Sequence, residues 1–402
     1  MNVRANRFPL FDSLRAIAAL SVLGFHAGYI AFYTADTPLR QFTSHLDVGV
    51  TVFFLISGFL LYRPFARANL RGEPAPHTGA YAWRRFLRIV PAYWVALTLV
   101  TIWLSVDGVF TSSGIPTFYG FAQIYDAKDS LGGIGQAWTL CVEVTFYAFL
   151  PLWALLMRRI RGGVRAELIA LALLWVVSLG YKVWALKQTG PTELNSAPYL
   201  QPLPNFLDQF AVGMALAVVS VHVEGLERTP RWVEWLRGHS WVPWGVAAAA
   251  FVFVSVGIGF SGELIQHYSR RMFLGRHELY TLIAVALVLP ALLAEPGRGL
   301  VGRVLGNRVL TYLGLVSYGI YLYHYAVVTQ LQDWIGPGEG GPLLLRLAIY
   351  LVAGAAGATL LATISYYVVE RPALSLRRLV SPPERSERGE ATEEPAPPLQ
   401  AR

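Results

Sequence analysis

The chain carries one stretch after another of about 20 mostly apolar residues, the length a helix needs to cross the hydrocarbon core of a bilayer. Such runs lie at 10–32, 46–64, 89–106, 135–157, 166–186, 203–222, 241–260, 277–294, 309–333 and 342–368. The expected fold class is therefore all-α, a polytopic membrane protein with about ten transmembrane helices. Composition agrees: 54% of residues are hydrophobic and 14% charged, and the mean hydropathy is +0.45. The 12 Trp, 20 Tyr and 21 Phe suit a protein with two membrane interfaces.

The formal charge of +8 does not imply nucleic acid, because the basic residues sit in short connections between apolar runs. With the N-terminus cytoplasmic, 24 of the 33 Lys and Arg fall on the inner face and 8 on the outer, Arg15 lying within the first run. This threefold bias predicts a multi-pass protein of the cell membrane with both termini in the cytoplasm. The N-terminus reads as a retained first helix and not a cleaved signal, since Asp12 and Arg15 interrupt its apolar stretch. Residues 65–88 read as a cytoplasmic loop, and 107–134 and 187–202 as outer loops. Residues 1–380 are expected to form one transmembrane domain, and 381–402 a disordered cytoplasmic tail with too little apolar surface to fold. The single cysteine, Cys141, excludes an internal disulfide and a cysteine-based metal cluster, and no metal is expected.

Ionisable groups inside lipid are costly, so each requires a partner or a task. Among those in the apolar runs, Asp12, Arg15, His26, Glu143, Asp208 and His324 stand out. At a rise of about 1.5 Å per residue, His26 stands about 24 Å up from the cytoplasmic start of its helix, and His324 about 22 Å up. Glu143, on a helix of opposite direction, lies about 12 Å below its outer end. The three are thus expected near one level. A neutral histidine held by a carboxylate is the usual general base toward an alcohol, which makes His26 the candidate base and Glu143 its orienting or stabilising group. The alternative for both is a packing role, satisfied by Tyr or Ser.

Arg84, Arg85 and Arg88 precede Ile89-Val90-Pro91. On a helix Arg85 and Arg88 share a face and can grip a polyanion such as the phosphates of coenzyme A; an ordinary positive-inside anchor is the competing reading. Asp12 and Arg15 are spaced to pair with each other, and Arg15 is also placed to touch a donor phosphate. Cys141 points away from Glu143 on its helix. Ser57 has no base near it in sequence, and its neighbour Gly58 suits close helix packing. Gly132-Gly133-Ile134-Gly135 lacks a following Walker lysine and reads as a loop.

Several segments in order, Phe11–Ala16 with His26, Gly49–Phe59, Arg85–Pro91, Trp138–Tyr147, Ser317–His324 and Val369–Pro372, resemble the acyltransferase-3 family of membrane acyltransferases. The resemblance implies a ten-helix core that O-acylates a carbohydrate or a glycosylated small molecule, using cytoplasmic acyl-CoA and most simply acetyl-CoA. It implies catalysis by His26, an essential acidic role for Glu143, and donor contact by Arg85 and Arg88, with Arg84 and Arg15 beside them. His324, Ser57, Trp138 and Tyr147 stand as substrate-side or supporting residues. Direct transfer in one ternary complex is the expected mechanism. Some relatives append a periplasmic esterase-like domain; this chain is expected to be the core alone, which leaves the acceptor open among cell-envelope glycans, lipopolysaccharide or exopolysaccharide sugars, nodulation-type oligosaccharides and macrolides. Two other classes compete: a secondary transporter with His26, Glu143 and His324 as a proton relay, and a glycan ligase using a lipid-linked donor.

Overall fold

The computed structural model describes residues 8–32, 37–160, 162–188, 197–258, 269–335 and 342–379. The tail from Ser381 and the stretch 1–7 lie outside the described residues, as do 189–196 within the loop expected at 187–202. Among the described residues every regular element is helical. Nine of the ten apolar runs each contain one long helix, and the run 309–333 is divided at Val316 between the short helix Arg308–Leu315 and a long one; the long helices are α1 (Leu10–Ala31), α2 (Val48–Arg71), α3 (Thr78–Trp103), α4 (Trp138–Arg159), α5 (Gly163–Gln188), α6 (Leu207–Glu224), α7 (Trp241–Gly257), α8 (Arg270–Leu293), α9 (Ser317–Ile335) and α10 (Leu343–Ser365).

Eight helical stretches among the described residues are long and apolar enough to cross a membrane, and there are nine if Arg231–Gly238 and α7, bent by 73°, form one span. The helix outside that set is α9. It is diluted by Tyr318, Tyr321, Tyr323 and His324, of which Tyr321, Tyr323 and His324 are buried. Its polar residues are spent inside the protein, so its average hydropathy understates its fit to the bundle.

One expectation needs correction. The loop expected over 65–88 shrinks to 72–77, because α2 runs on to Arg71 and α3 begins at Thr78. Charged side chains end an apolar run without ending a helix; the helix stops at Gly72, whose φ of 68° supplies the left-handed C-terminal turn. Arg84, Arg85 and Arg88 consequently stand on the regular helix α3. The stretch 107–134, expected as an outer loop, is also more ordered than a bare loop, with the short helix Gly114–Tyr119 and buried Phe118, Ile124 and Ile134.

Helices α2 and α6 touch backbone to backbone. A Cβ on Gly58 would lie 2.4 Å from the Phe210 carbonyl oxygen, and one on Gly213 would lie 2.2 Å from that of Leu55. The packing role expected of Gly58 is thus met, by reciprocal small residues of the kind that join membrane helices. Phe210 stacks on Phe54 at 4.8 Å and on Phe146 at 3.9 Å between ring centroids, tying α2, α4 and α6 into one core.

Candidate active site

Helices α1, α2, α3, α4 and α9 enclose a cavity of about 230 Å³. Helical spacing places its polar lining: Arg85 and Arg88 are one turn apart on α3, as are Thr139, Glu143 and Tyr147 on α4 and Tyr318 and Tyr321 on α9. Ser57 enters from α2 and Arg15 from α1. The lining therefore contains three guanidinium groups and one carboxylate, and its field favours an anion.

The three arginines are held differently. Arg15 pairs with Asp12 at 3.1 Å, the spacing-derived pairing. Arg88 reaches Glu370 at 3.4 Å and stands 5.8 Å over the Tyr318 ring. Glu370 is only 2% exposed on its side chain and ends a π-helical turn, Tyr366–Glu370, that continues α10. Such turns shift the register of the residues beyond them and so re-aim side chains. Arg85 has no carboxylate partner among the described residues; its Nε is buried without a hydrogen bond, and its guanidinium lies 5.8 Å from the Tyr147 ring centroid. It is the cation of the cavity most available to a ligand.

Glu143 is half-buried, and its Oε1 accepts a hydrogen bond from the Ser57 hydroxyl at 2.6 Å. A carboxylate partner, absent from the sequence around Ser57, thus comes from 86 positions away.

His26 does not bond to Glu143. Its partner is His324, with His26 Nδ1 at 3.1 Å from His324 Nε2. Neighbouring carbonyls assign the tautomers of the neutral rings. His324 Nδ1 lies 2.8 Å from the Tyr321 oxygen and 3.2 Å from that of Ile320, so this nitrogen carries the proton and Nε2 is an acceptor. His26 Nδ1 faces that acceptor and the Val22 oxygen at 3.0 Å, so it too carries a proton. His26 Nε2 remains as the basic nitrogen. Neither imidazole lines the cavity. Tyr321 stands between the two places: it lines the cavity, its carbonyl orients His324, and its ring centroid is 5.7 Å from that of His324.

Of the remaining sequence candidates, Tyr147 lines the cavity, whereas Arg84 and Trp138 do not. Trp138 packs on Phe206 at 5.5 Å. Asp208 finds its partners in a separate buried network: Lys182 Nζ at 2.6 Å, His277 Nε2 at 3.0 Å and the Ser178 hydroxyl at 3.1 Å. Lys182, one of the eight cations that the charge count assigns to the outer face, is fully buried. A lone cation within the run 166–186 was the available signal for it. Glu370 and Tyr321 were visible only as members of motifs.

The sequence profile of the family described as an acyltransferase domain matches residues 9–367. Nodulation protein 10 of Rhizobium leguminosarum bv. viciae is 27% identical, over 91% of this chain and 93% of that protein. Acyltransferase MdmB of Streptomyces mycarofaciens is 26% identical, over 94% of each chain. A Bacillus subtilis protein, YrhL, provisionally named a peptidoglycan O-acetyltransferase, is 24% identical over 90% of this chain, which spans 54% of that longer relative. No solved structure matches. The chain belongs to the acyltransferase-domain family, and its helices make it a polytopic membrane member of that family.

Proposed function

We propose that this chain is an acyl-CoA-dependent O-acyltransferase of the cell membrane, moving a short acyl group, acetyl in the simplest case, to a hydroxyl of a carbohydrate or glycosylated acceptor. The observation that carries this reading is the arginine-lined cavity, in which Arg85 has no anionic partner among the described residues and which the Ser57–Glu143 pair also lines. The cavity is far smaller than coenzyme A, so only the acyl end and part of the pantetheine arm enter it. Arg85 and Arg88, with Arg15, supply charge-assisted hydrogen bonds to the thioester oxygen inside the cavity or to the phosphates at its rim. Arg84 extends the basic surface outside the cavity.

His26 acts through Nε2 as the base that takes the acceptor hydroxyl's proton, and His324 is the positioning residue that fixes its tautomer. Names of relatives support an O-acetyl or acyl transfer, and that of the Bacillus subtilis protein supports a cell-envelope glycan as one acceptor class. Both termini are proposed to be cytoplasmic, with the donor entering from that side.

Mass spectrometry of cell-envelope glycans and glycosylated metabolites, with and without the gene, tests the activity and identifies acceptor and acyl length together. A mass difference of one acyl group per acceptor, lost in the His26→Ala strain with normal protein level, is expected. Unchanged acylation in both strains would contradict the proposal, and a proton-coupled solute flux without acylation would support a transporter instead.

A further inference from the structure

We infer that Ser57 is the nucleophile of a two-step transfer, carrying the acyl group as a seryl ester between donor and acceptor. This rests on the acyl-CoA reading above and replaces direct transfer with a covalent relay.

The first ground is geometric. Ser57 Oγ donates to Glu143 Oε1 at 2.6 Å, the relation of a nucleophile to its base. Hydroxyls in this chain's helices have a commoner use for their proton: Thr98, Thr145, Thr281 and Thr363 each donate to the carbonyl four residues back. Ser57 instead turns its proton to a carboxylate on another helix.

The second ground is location. Ser57 and Glu143 line the same cavity as the arginines, whereas His26 and His324 do not. A thioester whose acyl end enters that cavity meets a serine activated by a carboxylate, not an imidazole. The guanidinium groups lining it suit the negative charge that develops on the thioester oxygen as it is attacked. The imidazole pair, one residue layer away behind Tyr321, is then left for the second step.

In the first step Ser57 Oγ attacks the thioester carbonyl carbon and its proton passes to Glu143. The carbon–sulfur bond breaks, and the departing thiolate takes that proton, releasing coenzyme A as its thiol. In the second step the acceptor hydroxyl attacks the seryl ester, the bond from the acyl carbon to Ser57 Oγ breaks, and the proton lost by the acceptor restores the serine hydroxyl. The sum is acyl-CoA plus alcohol giving ester plus coenzyme A.

The test uses full-length protein in lipid nanodiscs with radiolabelled acetyl-CoA and no acceptor, quenched in acid from milliseconds to minutes. Peptide mass spectrometry then locates any label, while equilibrium dialysis measures acetyl-CoA binding independently. The expected result is one acetyl group on the peptide containing Ser57, formed also by His26→Ala and absent from Ser57→Ala, which still binds acetyl-CoA. Ser57→Cys should carry the label as a thioester cleaved by neutral hydroxylamine. Wild-type protein that binds acetyl-CoA yet never carries label, or carries it on another residue, overturns the seryl ester and leaves the donor assignment standing. Failure of wild-type protein to bind acetyl-CoA overturns both.

Discussion

Hydrogen-bond direction at the two imidazoles decides which nitrogen can act. His324 gives its proton to backbone carbonyls and presents a lone pair to His26, which leaves His26 Nε2 free to receive one. Under the proposed function His26→Ala should lower transfer by about 10²- to 10⁴-fold, the usual contribution of a general base. His324→Ala should cost less, about tenfold, because the base survives and only its orientation is lost. Both variants should keep the wild-type dissociation constant for acyl-CoA in equilibrium dialysis, since neither residue lines the cavity. Glu370→Ala should behave oppositely. Freed from its buried carboxylate, Arg88 loses its fixed position, and KM for acyl-CoA should rise about tenfold while kcat changes little; Glu370→Gln should restore most of the loss. Sequence spacing identified His26, Glu143 and the arginines as groups needing partners, but not which partners. His26 and His324 are 298 positions apart, and Ser57 and Glu143 are 86 apart. Periodicity gives the face of a helix and not the helix that covers it.

Among the elements, α2 is joined to α6 by contact and α5 to α6 and α8 by charge. Gly58→Leu would drive side-chain atoms into the Phe210 backbone, a clash that no rotamer relieves. Destabilisation of at least about 1–3 kcal/mol is expected, read as a lower melting temperature in detergent. Asp208→Ala strands Lys182 in a fully buried position and should cost about 3–5 kcal/mol. The pair Lys182→Met with Asp208→Leu should recover much of that, and a double variant no more stable than Asp208→Ala would show that the network does more than neutralise itself. All ten helices were legible as apolar runs, because lipid imposes a length requirement that composition alone can meet. Their ends were not: α2 and α3 continue through charged residues beyond their apolar runs, and the polar α9 owes its place to partners inside the bundle.

Across the whole molecule, the proposed orientation puts the arginine side of the cavity toward the cytoplasm and the imidazole pair in the outer half of the bilayer. A fluorescent protein fused after residue 379 should therefore fluoresce, and an alkaline phosphatase fused there should be inactive; the reverse pattern would invert the route assigned to the donor. The family assignment fixes the class of chemistry, whereas the place of that chemistry rests on the cavity. Affinity for acetyl-CoA, compared by equilibrium dialysis between wild-type protein and the Arg85→Ala/Arg88→Ala double variant in nanodiscs, tests that place most directly. A dissociation constant raised at least about tenfold, in a double variant that melts like the wild type, is the predicted result. Equal affinities would mean that the donor binds elsewhere.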